Sequence, residues 1–151
     1  MKITYRAVTD ADYDFLYQLH VAAMRALVED AYGTWDEAWQ QAYFRKYYDP
    51  EHLRIIQRDG VDVGVLYLQE RTEELFIANI EILPDHQRQG IGGQVIREVQ
   101  AQAERQGKPV ALQVLKRNLP ARHLYQRLGF GITGENETHY IMAYQPKMGA
   151  E

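Results

Sequence analysis

The run Gln87-Arg88-Gln89-Gly90-Ile91-Gly92-Gly93 constrains this chain more than any other stretch. It follows the apolar segment LFIANIEIL, Leu75 to Leu83, and precedes a segment in which Ile91, Val95, Ile96, Val99 and Ala103 recur at helical spacing. A strand therefore hands the chain through a glycine-rich loop into a helix. The first N–H groups of such a helix lack intrahelical partners and lie at the positive end of its dipole. Gly90, Gly92 and Gly93 let an anion approach the backbone, and Arg88 adds a guanidinium able to grip a phosphate with two parallel bonds. The loop is built for phosphate, and a diphosphate suits it well. Two nucleotide readings fail on the residues. A Walker loop requires Lys-Ser or Lys-Thr after the glycines, and none follows. A dinucleotide fold requires a third glycine and an acid at the end of the next strand, where this chain has Val95 and LKRN.

The remaining elements read as alternating β and α. KITYRAV alternates as a strand, and Thr9 or Asp10 offers the N-cap of a long helix striped by Leu16, Leu19, Ala23 and Leu27 and stopped at Gly33. A second helix is predicted over Thr34–Tyr48. Asp59-Gly60 between apolar runs signals a hairpin, LRIIQR to VDVGVLYLQE, with LFIANIEILP as a third strand. After the helix that ends at Gly107 come the strand PVALQVL and a short helix capped by Asn118, with Pro120 in its first turn and Gly129 at its end. FGIT and THYIMAY close the chain as two strands. The predicted order is β-α-α-β-β-β-α-β-α-β-β, an α/β (α+β) fold. Without repeat, low-complexity tract or linker, residues 1–151 are expected to form a single domain.

Charge and composition narrow the partners. Against 21 acidic residues stand 17 Lys and Arg, a net charge of -4, so no basic excess exists to neutralise nucleic-acid phosphates. The absence of cysteine removes disulfides, thiolate metal sites and cysteine nucleophiles, and suits a cytoplasmic protein. No segment reaches the length of a membrane span, and the amino terminus lacks the apolar core of a signal peptide. His20, His52, His86, His123 and His139 show no metal spacing, so no metal is expected.

A second stretch, NLPARHLYQRLGF from Asn118 to Phe130, follows the next strand directly. Together with ILPDHQRQGIGG it resembles the GNAT family, the Gcn5-related N-acetyltransferases. The acyl-CoA loop of that family, Q/R-x-x-G-x-G/A, is matched by Gln87, Gly90 and Gly92. Its later helix, N-x-x-A-x-x-x-Y-x-x-x-G-F, is matched by Asn118, Ala121, Tyr125, Gly129 and Phe130. The resemblance implies a mixed sheet of about seven strands flanked by about four helices. It implies acetyl-CoA as co-substrate, with the Gln87–Gly93 amides (Arg88, Gln89 and Ile91 included) on the pyrophosphate. Ile82 and Leu83 would pair with the pantetheine arm, the two central strands splaying to admit it. Asn118 would lie near the pantetheine, and Arg122 would reach a CoA phosphate.

In such an enzyme a neutral amine attacks the thioester carbonyl directly. Help is needed to deprotonate the ammonium, to stabilise the oxyanion and to protonate the departing thiolate. Tyr125 matches the family's tyrosine as general acid at the sulfur, and a backbone N–H near Ile82 would serve the oxyanion. The base is less defined. Asn79 and Glu81 share one strand face, and Glu81 is a candidate base, directly or through water. Family members often carry the acid slightly earlier on this strand, where this chain has Ala78 and Asn79. His139 is a second candidate, with an ordinary pKa near neutrality. The family places the acceptor between the first two helices and the last hairpin, where Glu29, Tyr32, Trp35 and Trp39 combine aromatic rings with a carboxylate suited to an amine. The leading expectation is a small-molecule amine acceptor. A peptide or protein amine, or a non-catalytic acyl-CoA-binding module, are the alternatives, and a homodimer is possible.

Overall fold

The computed structural model describes residues Met1–Lys147. Its elements are β1 (Ile3–Ala7), α1 (Tyr13–Tyr32), α2 (Glu37–Tyr47), β2 (Leu53–Arg58), β3 (Val61–Glu70), β4 (Leu75–Ile82), α3 (Ile91–Gln106), β5 (Val110–Leu115), α4 (Leu119–Arg127), β6 (Gly131–Glu135) and β7 (His139–Tyr144). The order read from the sequence is the observed order. The sheet runs β1-β2-β3-β4-β5-β7-β6. β4 and β5 pair in parallel, whereas β1 with β2, β2 with β3, β5 with β7 and β6 with β7 pair antiparallel. This mixed seven-stranded sheet with four helices is the GNAT-type fold expected.

Two compact units make up the chain, and neither is contiguous in sequence. The first comprises Met1–Tyr67 and Asn79–Ile91; the second comprises Leu68–Ala78 and the chain from Gly92 onward. In the first, Leu16, Leu19, Leu53, Ile55 and Val65 form a buried cluster against which Phe15, Phe44 and Tyr48 pack. Leu16 and Leu19 are the half of the α1 stripe that is fully buried; Ala23 and Leu27, further along, are partly exposed. The helix starts later than expected because Thr9 heads a 3-10 turn, Asp10–Asp12, before α1 begins. Asp12 is held there by the Thr9 N–H at 2.8 Å and by two nitrogens of Arg6, both at 2.9 Å. The second helix is also shorter than the Thr34–Tyr48 expected. Asp36 caps it by accepting the Trp39 N–H at 3.0 Å, which leaves Trp35 outside.

The β2–β3 ladder carries a bulge that matters for the site. Ile56 pairs with Gly64 and Gln57 with Asp62, so Val63 is the extra residue. Its carbonyl accepts the Leu83 N–H at 2.8 Å. Next to it, an added Cβ on Gly64 would lie 2.5 Å from the Glu81 carbonyl oxygen, so only glycine permits β4 to come this close.

In the second unit, Val95, Val99 and Ala103 of α3, with Val110 and Leu112 of β5 and Met142 of β7, are buried. The helical and strand periodicities of these residues were readable in the sequence, and the structure buries those faces.

Candidate active site

In the first unit, the end of β4 presents Asn79 and Glu81 on one face by strand alternation. Glu81 is 5% exposed. A buried carboxylate requires a partner, and it has one in His20, whose Nδ1 lies 2.9 Å from Glu81 Oε2. His20 comes from α1, one residue past the buried Leu19. Its ring lies near Trp35 and Phe44, with centroids 5.8 and 5.7 Å away. Burial pulls the His20 pKa down, but hydrogen bonds to Glu81 and Gln40 and the charge of Glu81 outweigh it, leaving the group above its ordinary 6.5. His20 therefore carries a proton more readily than an isolated histidine, and its ring lies between the buried Glu81 carboxylate and the rings of Trp35 and Phe44.

Trp35 is buried, and its indole N–H donates to Glu37 Oε2 at 2.7 Å. Glu37 also accepts the Tyr17 hydroxyl at 2.9 Å. The Trp35 ring is thereby a fixed wall beside His20. Tyr32 and Glu29 lie on the exposed last turns of α1, with Glu29 3.7 Å from Arg25. Trp39 is exposed on α2. Asn79 is half-buried on the Glu81 face.

The loop after β4 continues the same unit. Leu83 donates its N–H to Val63 and accepts the His86 N–H at 2.8 Å through its carbonyl. The Gln87 side-chain amide donates to the Ile82 carbonyl at 2.9 Å. Arg88 is exposed, lacks an ion-pair partner among the described residues, and adopts φ 63, a left-handed conformation that a non-glycine residue rarely takes. Such strain is held at positions whose backbone direction is needed. Gln89 spans the loop, accepting from Arg58 and donating to the Asp85 carbonyl.

α3 then starts at Ile91, and Gly92 and Gly93 occupy its first turn. The protein itself makes no demand for glycine at position 92. An added Cβ would meet only Leu124 Cδ2 at 3.9 Å, an ordinary contact. At Gly93 it would lie 3.5 Å from Arg97 Nη1, so the Arg97 guanidinium folds back over the first turn of its own helix. A cation at a helix N-terminus opposes the dipole, and Arg97 has no carboxylate partner among the described residues. An anion at these N–H groups would satisfy both.

Elsewhere in the second unit, Asn118 caps α4 by accepting the Ala121 N–H at 3.3 Å. Arg122 stacks over Tyr140 at 5.3 Å. Tyr125 is 8% exposed, and burial alone pushes its phenol up to about 12. It packs against Phe130 with ring centroids 5.9 Å apart. His139 on β7 is half-buried, which lowers its pKa, and its Nδ1 lies 2.8 Å from the Thr138 hydroxyl. Among the described residues no cluster of three or more His, Cys, Asp or Glu is placed to hold a metal ion.

The family model for "Acetyltransferase (GNAT) family" matches residues 16–130, which span the glycine loop and the Asn118–Phe130 helix. The chain belongs to the GNAT acetyltransferase family. It is an acyltransferase by that membership. Solved members of the family share its fold. The PaiA N-acetyltransferase from Thermoplasma acidophilum, solved with coenzyme A, matches with TM-score 0.77 at 16% identity, covering 96% of this chain and 99% of that one. The ribosomal-protein-S18-alanine N-acetyltransferase from Escherichia coli matches at TM-score 0.70 and 22% identity, with 99% and 97% covered. A GNAT family acetyltransferase from Elizabethkingia anophelis with acetyl-CoA bound matches at TM-score 0.64 and 20% identity, with 95% and 97% covered.

Sequence reasoning missed His20, Gln40 and Arg97. His20 and Glu81 are 61 positions apart, and nothing local marks them as partners. Arg97 was readable in principle, since it lies four residues after Gly93, on the same helix face.

Proposed function

We propose that this GNAT member transfers an acetyl group from acetyl-CoA to a primary amine of a small molecule. The observation that carries the donor half is Gly92. Nothing in the fold asks for glycine there, so the missing side chain is explained by a ligand lying against the first turn of α3. Arg97, which has no carboxylate partner among the described residues, folds over that turn and would supply a cationic partner of a pyrophosphate; the loop motif assigns Arg88 the same part. The Gln87–Gly93 amides would hold that group. The main chain at Ile82 and Leu83, with Asn118 and Arg122, would hold the rest of CoA.

For the acceptor half, Glu81 is the proton acceptor and His20 its positioning residue. The ammonium loses a proton to Glu81. The neutral nitrogen then attacks the thioester carbon, and the C–S bond breaks as the amide forms, the nitrogen releasing its second proton through solvent to restore the phenol that protonates the sulfur. Tyr125, protonated across the working pH range because burial raises it to about 12, donates to the departing sulfur. A carboxylate only 5% exposed, paired with a histidine whose ring lies beside Trp35 and Phe44, favours a compact amine, which supports a small-molecule acceptor over a peptide.

The test is CoA binding by calorimetry followed by thiol release over a panel of amines. Binding of CoA with turnover on small amines is the expected result. Turnover confined to peptide amino termini would move the acceptor to the peptide class. Binding without turnover on any amine would leave a CoA-binding module, and absence of CoA binding would overturn the reading.

A further inference from the structure

Helix α2 carries an aromatic stripe that no element of the described chain covers. Trp39, Tyr43 and Tyr47 are 55%, 50% and 55% exposed. They follow one another at intervals of four, and their rings touch in series, with centroids 4.9 and 4.7 Å apart. The same helix already buries Gln40 and part of Phe44 on its inner side, so the stripe is a second face. Exposed aromatic rings stacked in a row are costly to leave in water and uncommon on a surface with no partner.

The stripe is symmetric about Tyr43. If a second α2 is laid antiparallel against it, Tyr43 meets its own copy, and each Trp39 meets Tyr47 of the other chain. The charges obey the same two-fold relation. Asp36 stands at the N-terminal end of this face and Lys46 near the C-terminal end. Antiparallel pairing brings each Lys46 within about one helical turn of Asp36 of the second copy. Parallel pairing would instead stack like charges. We infer that the α2 stripe is the two-fold interface of a homodimer, with Tyr43 on the axis.

The half-exposed rings offer roughly 300 Å² per copy. Their sum, about 600 Å², is below the ~1,000 Å² that a stable specific interface buries. The dimer is accordingly a weak, concentration-dependent one, and its assembly does not depend on the acetyltransferase reading.

A residue on a two-fold axis meets itself, which makes the test specific. Sedimentation velocity of the full chain from about 1 μM to 1 mM should show wild-type protein passing from monomer to dimer. Tyr43→Glu and Tyr43→Lys should each weaken association at least about 10-fold, because each places two like charges together. An equimolar mixture of the two should dimerise again, since Glu then meets Lys. Circular dichroism melts of both variants establish that α2 remains folded, as expected for an exposed helical position. Wild type monomeric throughout, single variants that dimerise like wild type, or a mixture that stays monomeric would each overturn the interface.

Discussion

At the scale of single residues, the most consequential pair is Glu81 with His20. Replacing the carboxylate by its amide, Glu81→Gln, keeps the shape and removes the proposed proton acceptor. The expected outcome is a loss of about 10²–10⁴ in kcat with the fold intact, measured by thiol release. Equal turnover in the variant would remove Glu81 from the mechanism. His20 also links the site to stability. Because its folded pKa lies above the unfolded 6.5, the pair contributes its full stabilisation below pH 6.5 and loses it as pH rises through the raised value. Urea titrations of wild type and His20→Gln should therefore differ most near pH 6 and converge toward pH 9. Tyr125→Phe removes the proposed donor to sulfur, and the expected result is slower turnover with CoA affinity little changed. Both hypotheses rest on groups that the fold buries, where a lost partner is felt most.

At the scale of elements, glycines at two positions serve opposite masters. Gly64 belongs to the fold. A methyl group there would strike the backbone of β4 at Glu81 and the Ile82 side chain, 2.8 Å away at Cδ1. Gly64→Ala should cost about 1–3 kcal/mol in urea unfolding. Gly92 is proposed to serve the ligand. Gly92→Glu replaces a poor helix former and puts a negative charge in the first turn, so the free protein should be as stable as wild type or more so. The same carboxylate would occupy and repel the proposed pyrophosphate position, and CoA affinity should fall at least about 100-fold by calorimetry. A variant that loses stability and binding together would mean that Gly92 serves the fold after all.

At the scale of the whole molecule, long-range ion pairs tie early and late strands of the first unit. Arg6 of β1 joins Asp12, ahead of α1, and Asp62 of β3, at 2.9 and 2.7 Å. These hydrogen bonds hold both carboxyls below their ordinary 3.8. A depressed carboxyl stabilises above its unfolded pKa, and that contribution is lost as pH falls through the folded value. Arg6→Leu should destabilise by about 2 kcal/mol at pH 7, with the gap to wild type closing below pH 4, as read from thermal or urea unfolding.

How much of this was legible without coordinates follows from the range of each interaction. Element order, the α3 stripe, the Asp59-Gly60 hairpin and the glycine-rich turn into α3 all rest on residues within a few positions of one another, and local periodicity and turn chemistry determined them. The motifs Gln87–Gly93 and Asn118–Phe130 were enough to name the family and its donor. The sequence could not say which of two tryptophans four positions apart is a wall and which is surface. Trp35 is buried because Asp36 ends the helix at its side and Glu37 receives its indole N–H, whereas Trp39 faces outward. Nor could it join His20 to Glu81. That contact exists because a helix near the amino terminus is packed on a strand sixty residues later, and only the bulge at Val63 with the bare backbone of Gly64 lets that strand lie where it does.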